Sequence, residues 1–240
     1  TPPSTDPNIP SNDPPKQSRF RRPVASPVKL VTLAFLSFHP NAMPWLARTN
    51  YAHELRAAFF LPWAIAATEG GVIGFIVKKL YEGVIDENTL NYFAGALIAA
   101  PALANITSFA WAILAHGKRK VPFITALQLG VLISIAVMAL SPRTPAGLYM
   151  LVAAAFSARI LLAGIVTIRA TIWGVNYPAH RAKLTGKLQT VSVTISSLIA
   201  IGLGLAMQYN ENAYRVLIPI GGLIALLGVS SYARIRLRTE

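Results

Sequence analysis

Six long apolar stretches dominate this chain, at residues 55–79, 89–115, 121–140, 146–172, 187–208 and 214–233. Each reaches the roughly 20 residues that a helix needs to cross the hydrocarbon core of a bilayer. Backbone N–H and C=O groups find no water there, so a spanning segment must be a helix or part of a closed barrel. Barrel strands alternate lipid-facing apolar and lumen-facing polar residues, and no such alternation is present in these stretches. The expectation is an all-α membrane protein, with six transmembrane helices packed as a bundle over residues 55–236.

Composition excludes the other broad classes. Hydrophobic residues make up 54% of the chain and charged residues 13%, against about 25% charged in a typical soluble domain. Wholesale disorder needs low hydrophobicity and is excluded as well. The net charge of +13 does not point to nucleic acid, because a nucleic-acid binder gathers its charge on one soluble face. Here the basic residues sit between apolar runs. The absence of cysteine removes a disulfide framework, a Cys-based metal site and a thiol nucleophile.

The basic residues set the expected orientation. With the N-terminus inside, the inner segments hold 16 of the 22 Lys and Arg residues. Outside lie only Lys78, Lys79, Arg143 and Arg215. This alternation follows the positive-inside rule and places both termini in the cytoplasm, with the protein in a plasma (inner) membrane. Residues 1–27 hold eight of the 17 prolines and read as a disordered cytoplasmic tail. The tail's Lys16, Arg19, Arg21 and Arg22 suit anionic lipid headgroups. Residues 28–54 read as an interfacial, juxtamembrane segment, because the apolar run 28–38 is too short to span. Residues 237–240 read as the start of a cytoplasmic linker.

Charges inside spans mark the candidate site. Glu69 lies in the first span and Arg159 at the middle of the fourth. A charge at a helix centre costs about 2.5–3.5 kcal/mol on insertion scales, so it normally faces a wet cavity or a partner. Their opposite signs suggest an ion pair or a shared polar cavity, used either for solute and proton or for helix packing. Arg169, near the cytoplasmic end of the fourth span, is expected to snorkel to the headgroups. In the fifth span Thr190, Thr194 and Ser197 recur at helical spacing, with Gln189, Ser192 and Ser196 adjacent. That face lines a water-filled path or bonds a neighbouring helix. Asn105 and Gln128 are further polar candidates in the second and third spans. Gly70 with Gly74, Gly202 with Gly204, and Gly221 with Gly222 suit close helix packing. Pro62 and Pro101 are expected to kink the first two spans.

Enzyme chemistry has no foothold. The four histidines lack metal-ligand spacing, and neither a nucleophile elbow nor a phosphate-binding loop is present. No metal or cofactor is expected.

Two loop motifs add a family resemblance. The loop between the second and third spans reads FAWAILAHGKRKVPF. Its Gly117, Lys118, Arg119 and Lys120 match the glycine-plus-basic end of the signature Gly-x-Leu-Ala-Asp-Arg-x-Gly-Arg-Arg. The junction between the fourth and fifth spans, RATIWGVNYPAHRAKLTGKLQ, carries Arg169, Tyr177, Pro178, Arg181 and Gly186. Together with six spans and cytoplasmic ends, these features resemble the N-terminal half of a major facilitator superfamily transporter. The signature's acidic residue and first arginine are missing here, since Ala115 is followed by His116 and Gly117.

The resemblance implies two inverted three-helix repeats and a central cavity lined by the first and fourth spans. It further implies a cytoplasmic gate region holding Gly117, Lys118, Arg119, Lys120, Arg169 and Arg181. The expected function is secondary active transport of a small solute by alternating access, with H+ as coupling ion. The lipid bilayer and a second six-helix half are the expected partners. The alternative is a transport-inactive membrane scaffold or assembly factor on the same fold.

Overall fold

A computed structural model describes residue 32 and residues 36–237 of the chain. The tail 1–27 with its basic cluster, most of the 28–38 run and residues 238–240 lie outside the described residues. The bundle is the compact unit His39–Glu240, distinct from Thr1–Phe38. No β-strand occurs among the described residues.

Among the described residues nine α-helices of defined bounds build the bundle: α1 (Arg48–Phe60), α2 (Pro62–Ile65), α3 (Gly70–Tyr81), α4 (Glu87–Asn105), α5 (Ser108–Leu114), α6 (Lys120–Ala139), α7 (Pro145–Asn176), α8 (Arg181–Tyr209) and α9 (Tyr214–Tyr232). Among the described residues four helical segments are long and apolar enough to cross a membrane, and the count rises to six if each of two bent pairs is one span. The bent pairs are Arg48–Thr68 with Gly70–Tyr81, at 43°, and α4 with α5, at 44°. The first helix begins at Arg48, upstream of the apolar stretch at 55, so Glu54 belongs to the bundle.

The bends do not fall at the prolines. Pro62 opens α2 at its first turn, where a missing N–H costs nothing. The Leu61 N–H still reaches Ala57 O at 3.0 Å. The first span breaks instead at Glu69, whose φ of −60° and ψ of 134° leave the helical region. A short 3₁₀ turn, Ala66–Thr68, precedes it, and Gly70 and Gly71, both weak helix formers, follow. Pro101 lies inside α4, which continues to Asn105 before the second bend.

Neighbouring spans run in alternating directions. At one end Lys79, Arg143 and Glu211 meet, with Lys79 Nζ 3.3 Å from Glu211 Oε1 and Arg143 paired to Glu211 Oε2. At the other end Asn50 and Asn176 both donate to Arg236 O, at 2.7 and 3.2 Å. Asp86 caps α4 by accepting from the Thr89 N–H at 2.8 Å. That contact holds the Asp86 carboxyl below the usual carboxylate range.

Packing rests on small residues, as it must where lipid is as apolar as the side chains. The most extensive contacts join α6 with α7, α3 with α4, and α1 with α9. A Cβ on Gly70 would stand 3.0 Å from Ile98 backbone atoms, and one on Gly228 would stand 2.9 Å from Leu61 Cγ. Gly221 faces the Trp63 carbonyl, whereas Gly202, Gly204 and Gly222 have open space around them. Gly221→Val is therefore expected to wedge α9 from α2 and to destabilise the protein by about 1–3 kcal/mol. Thermal melting in detergent reads this, with Gly222→Ala as the control that leaves the melting point in place.

The helix α8 is the least buried of the long helices. It packs on α1 and α2 and barely touches α9, so one of its sides stays open.

Candidate functional site

The centre of the site is the break in the first span. Glu69 is the N-cap residue of α3, yet its side chain makes no cap hydrogen bond. It turns to Arg159 instead, with Oε2 3.1 Å from Nη2. The guanidinium also takes the carbonyl that the break sets free. Arg159 Nε donates to Thr68 O at 2.7 Å, and Nη2 donates to the same oxygen. Thr68 Oγ1 donates to Ile65 O at 2.8 Å, which closes the 3₁₀ turn. The fourth span thus stabilises the break by supplying N–H groups to a carbonyl that has left the helix.

The two partners are unequally covered. The Arg159 side chain is 11% exposed and that of Glu69 47%. The Glu69 side chain is therefore nearly half open, and Arg159 Nη1 lies outside these hydrogen bonds.

That open space is a cavity of about 590 Å³ between the first span, α6, α7 and α8. Glu69, Gln128, Arg159 and Arg169 supply its polar atoms from the first three. Gln189, Ser192, Ser196 and Ser197 supply them from α8. Gln128 is 2% exposed, and neither Nε2 nor Oε1 of its amide has a hydrogen-bond partner. A buried amide without partners costs free energy comparable to its lost hydrogen bonds. Such a group is unusual in a settled core.

A second ion pair lies further along the same two spans. Arg169 is ten residues after Arg159 on α7, about 15 Å along a helix axis. Its Nη2 and Nε donate to Glu54 Oε2 at 2.8 and 3.2 Å. The Trp173 indole donates to Glu54 Oε1 at 3.0 Å. The guanidinium packs over the rings of Trp173, at 4.8 Å, and Tyr232, at 5.6 Å. Glu54 is 0% exposed. The hydroxyls of Tyr177 and Tyr232 close the cluster without hydrogen-bond partners of their own. Burial first, and then the negative charge of Glu54, push the Tyr177 phenol well above its ordinary range.

Several expectations need correction. Arg169 does not snorkel to the headgroups, because a complementary carboxylate waits for it on α1. Thr190 and Thr194 do not line the cavity. Thr190 is exposed and donates to Gly186 O at 2.9 Å. The wall of α8 is the stripe Gln189, Ser192 and Ser196 with Ser197 at its edge, and Thr194 falls beyond that edge. Asn105 sits exposed at the end of α4, away from the cavity.

The gate-loop candidates are also dispersed. Gly117 adopts φ +70°, a left-handed turn that favours glycine. Lys118 lies over the Phe123 ring at 5.1 Å. Arg119 is the N-cap of α6 and Lys120 its first residue, while Arg181 opens α8. Among the described residues, Arg169 is the one member of this group held in an ion pair, with Glu54. Glu54 stands one residue before the apolar stretch that starts at 55, so the hydropathy pattern does not single it out. Its signal was there: two acids along the first span face two arginines along the fourth.

No protein-family model, no curated protein and no solved structure matches this chain.

Proposed function

We propose that this chain is the six-helix N-terminal half of a secondary transporter of the major facilitator type, moving a small solute by alternating access. The observation that carries the reading is the polar cavity of about 590 Å³, bounded by helices that keep an unequally covered ion pair at its wall. Ionisable residues within membrane spans are costly and mark solute or proton paths. A broken helix whose freed carbonyl and half-helix start meet at a charged group is a common way to build such a site.

In this reading the chain holds two inverted three-helix repeats, and spans one and four are their equivalent first helices. Both termini are cytoplasmic. The Glu54–Arg169 pair then lies towards the cytoplasmic end of the cavity, and Glu69–Arg159 lies deeper. An anionic group of the solute docks at Arg159, and Glu69 carries the proton when the solute is absent. The open side of α8 is covered by a second six-helix half, because exposed polar residues such as Gln189 and Ser197 are poor company for lipid.

The test is proton-coupled uptake in liposomes holding this chain together with its second six-helix half, with a pH dye inside and a panel of small solutes outside. Glu69→Gln is expected to abolish proton movement while leaving expression and folding intact. Solute-driven proton movement undiminished in that variant contradicts the coupling role. A protein that moves no solute of the panel and admits no water to the cavity is instead a scaffold built on this fold.

A further inference from the structure

The cavity wall carries three groups whose hydrogen-bonding capacity is left over, and together they define a ligand class. One is Arg159, whose Nη1 lies outside the bonds to Thr68 O and Glu69. The second is Glu69, nearly half exposed and held by a single 3.1 Å contact. The third is Gln128, buried on the same cavity with both amide heads unpartnered. One leftover group donates, one accepts, and the amide does both.

The charge balance narrows the class. Arg169 lines the cavity too, but its charge is already matched by Glu54. The wall is therefore neutral in sum, with one cation and one anion side by side. A net anion would leave Glu69 facing a like charge, and a net cation would do the same to Arg159. Either arrangement is costly where water is scarce. An uncharged solute would leave the ion pair intact and use only Gln128 and the serines. A solute that carries both charges exchanges one ion pair for two and leaves no charge over.

We infer that the cavity binds a zwitterion of amino-acid type. Its carboxylate takes Arg159 Nη1 and the Gln128 Nε2–H, and its ammonium takes Glu69 and Gln128 Oε1. Arg159 keeps its grip on Thr68 O throughout, so the break in the first span is retained while the ligand enters. The cavity is larger than a single backbone zwitterion, and its apolar remainder, including Leu162 and Val166, receives a side chain. This inference deepens the transport reading and rests on it for the direction of entry, but not for the binding itself.

The experiment is equilibrium binding to the purified protein in lipid nanodiscs. The probe is a ¹⁴C-labelled mixture of the proteinogenic L-amino acids, followed by competition with each one alone. Saturable binding is expected. The amide and the deaminated acid of the best competitor each lack one charge and are expected to bind at least about a hundredfold more weakly. Glu69→Gln and Arg159→Gln should lose the signal. Gln128→Leu keeps both charges and the fold, and should weaken binding about tenfold through the loss of hydrogen bonds to charged groups.

A deaminated acid that binds as well as its parent overturns the inference in favour of a plain anion site. No binding of the mixture also overturns it, and the transport reading then stands if thiols placed in the cavity still react from water. Binding that survives when the chain, reconstituted with its second six-helix half, cannot move the same amino acid across a liposome leaves the site standing and removes the transport reading.

Discussion

Glu54→Ala is expected to destabilise the folded bundle by about 3–5 kcal/mol, because it leaves a buried guanidinium without its counter-ion. Arg169 is 16% exposed at its side chain, and Glu54 is fully buried. Glu54 accepts three hydrogen bonds, two from Arg169 and one from Trp173. Removing the carboxylate strands all three donors at once. The double variant Glu54→Gln with Arg169→Leu removes both charges and is expected to recover much of the loss. Buried pairs replaced by apolar groups are often neutral in cost. Melting or denaturant unfolding in detergent measures the cycle. Equal losses in the single and double variants would show that the pair itself is not what the two residues contribute.

Arg159→Gln is expected to have the second large effect, and on activity more than on stability. The substitution removes the fork that holds Thr68 O and the cation beside Glu69. Losing hydrogen bonds to charged groups at roughly 1.5–3 kcal/mol apiece corresponds to at least about a hundredfold fall in transport. Arg159→Lys keeps the charge but presents a compact ammonium in place of a planar fork. It should therefore hold Glu69 yet release the Thr68 carbonyl, giving an intermediate rate. Solute uptake in liposomes measures both variants against the parent. A Lys variant as poor as the Gln variant would place the essential function in the fork at the helix break and not in the charge.

The six apolar stretches were legible because the hydrocarbon core filters for length and polarity alone. The Glu69–Arg159 meeting was legible for the same reason, since two opposite charges have few places to go inside a membrane. The breaks were not. Proline drew attention to Pro62 and Pro101, but the break at Glu69 is fixed by a guanidinium from a span some ninety positions away, at Arg159. No local pattern encodes that. The wall of α8 was half legible: the polar residues were visible, but their phase against the cavity depends on how α8 leans on α1 and α2. Glu54 was hidden by its position at the margin of an apolar stretch, where a carboxylate reads as interfacial until its partner is seen.

The account stands on the cavity being a wet path and not a dry seam between helices. The chain has no native cysteine, so single cysteines report cleanly. Ser196→Cys places a thiol on the cavity wall with little change in size. Leu223→Cys places one on a side of α9 that is 68% exposed, where a bilayer leaves only lipid. The measurement is the rate of reaction of each with a charged, membrane-impermeant thiol reagent. The account predicts fast labelling at residue 196, slowed by bound solute, and none at residue 223. Equal silence at both positions would contradict it and leave a dry helical scaffold.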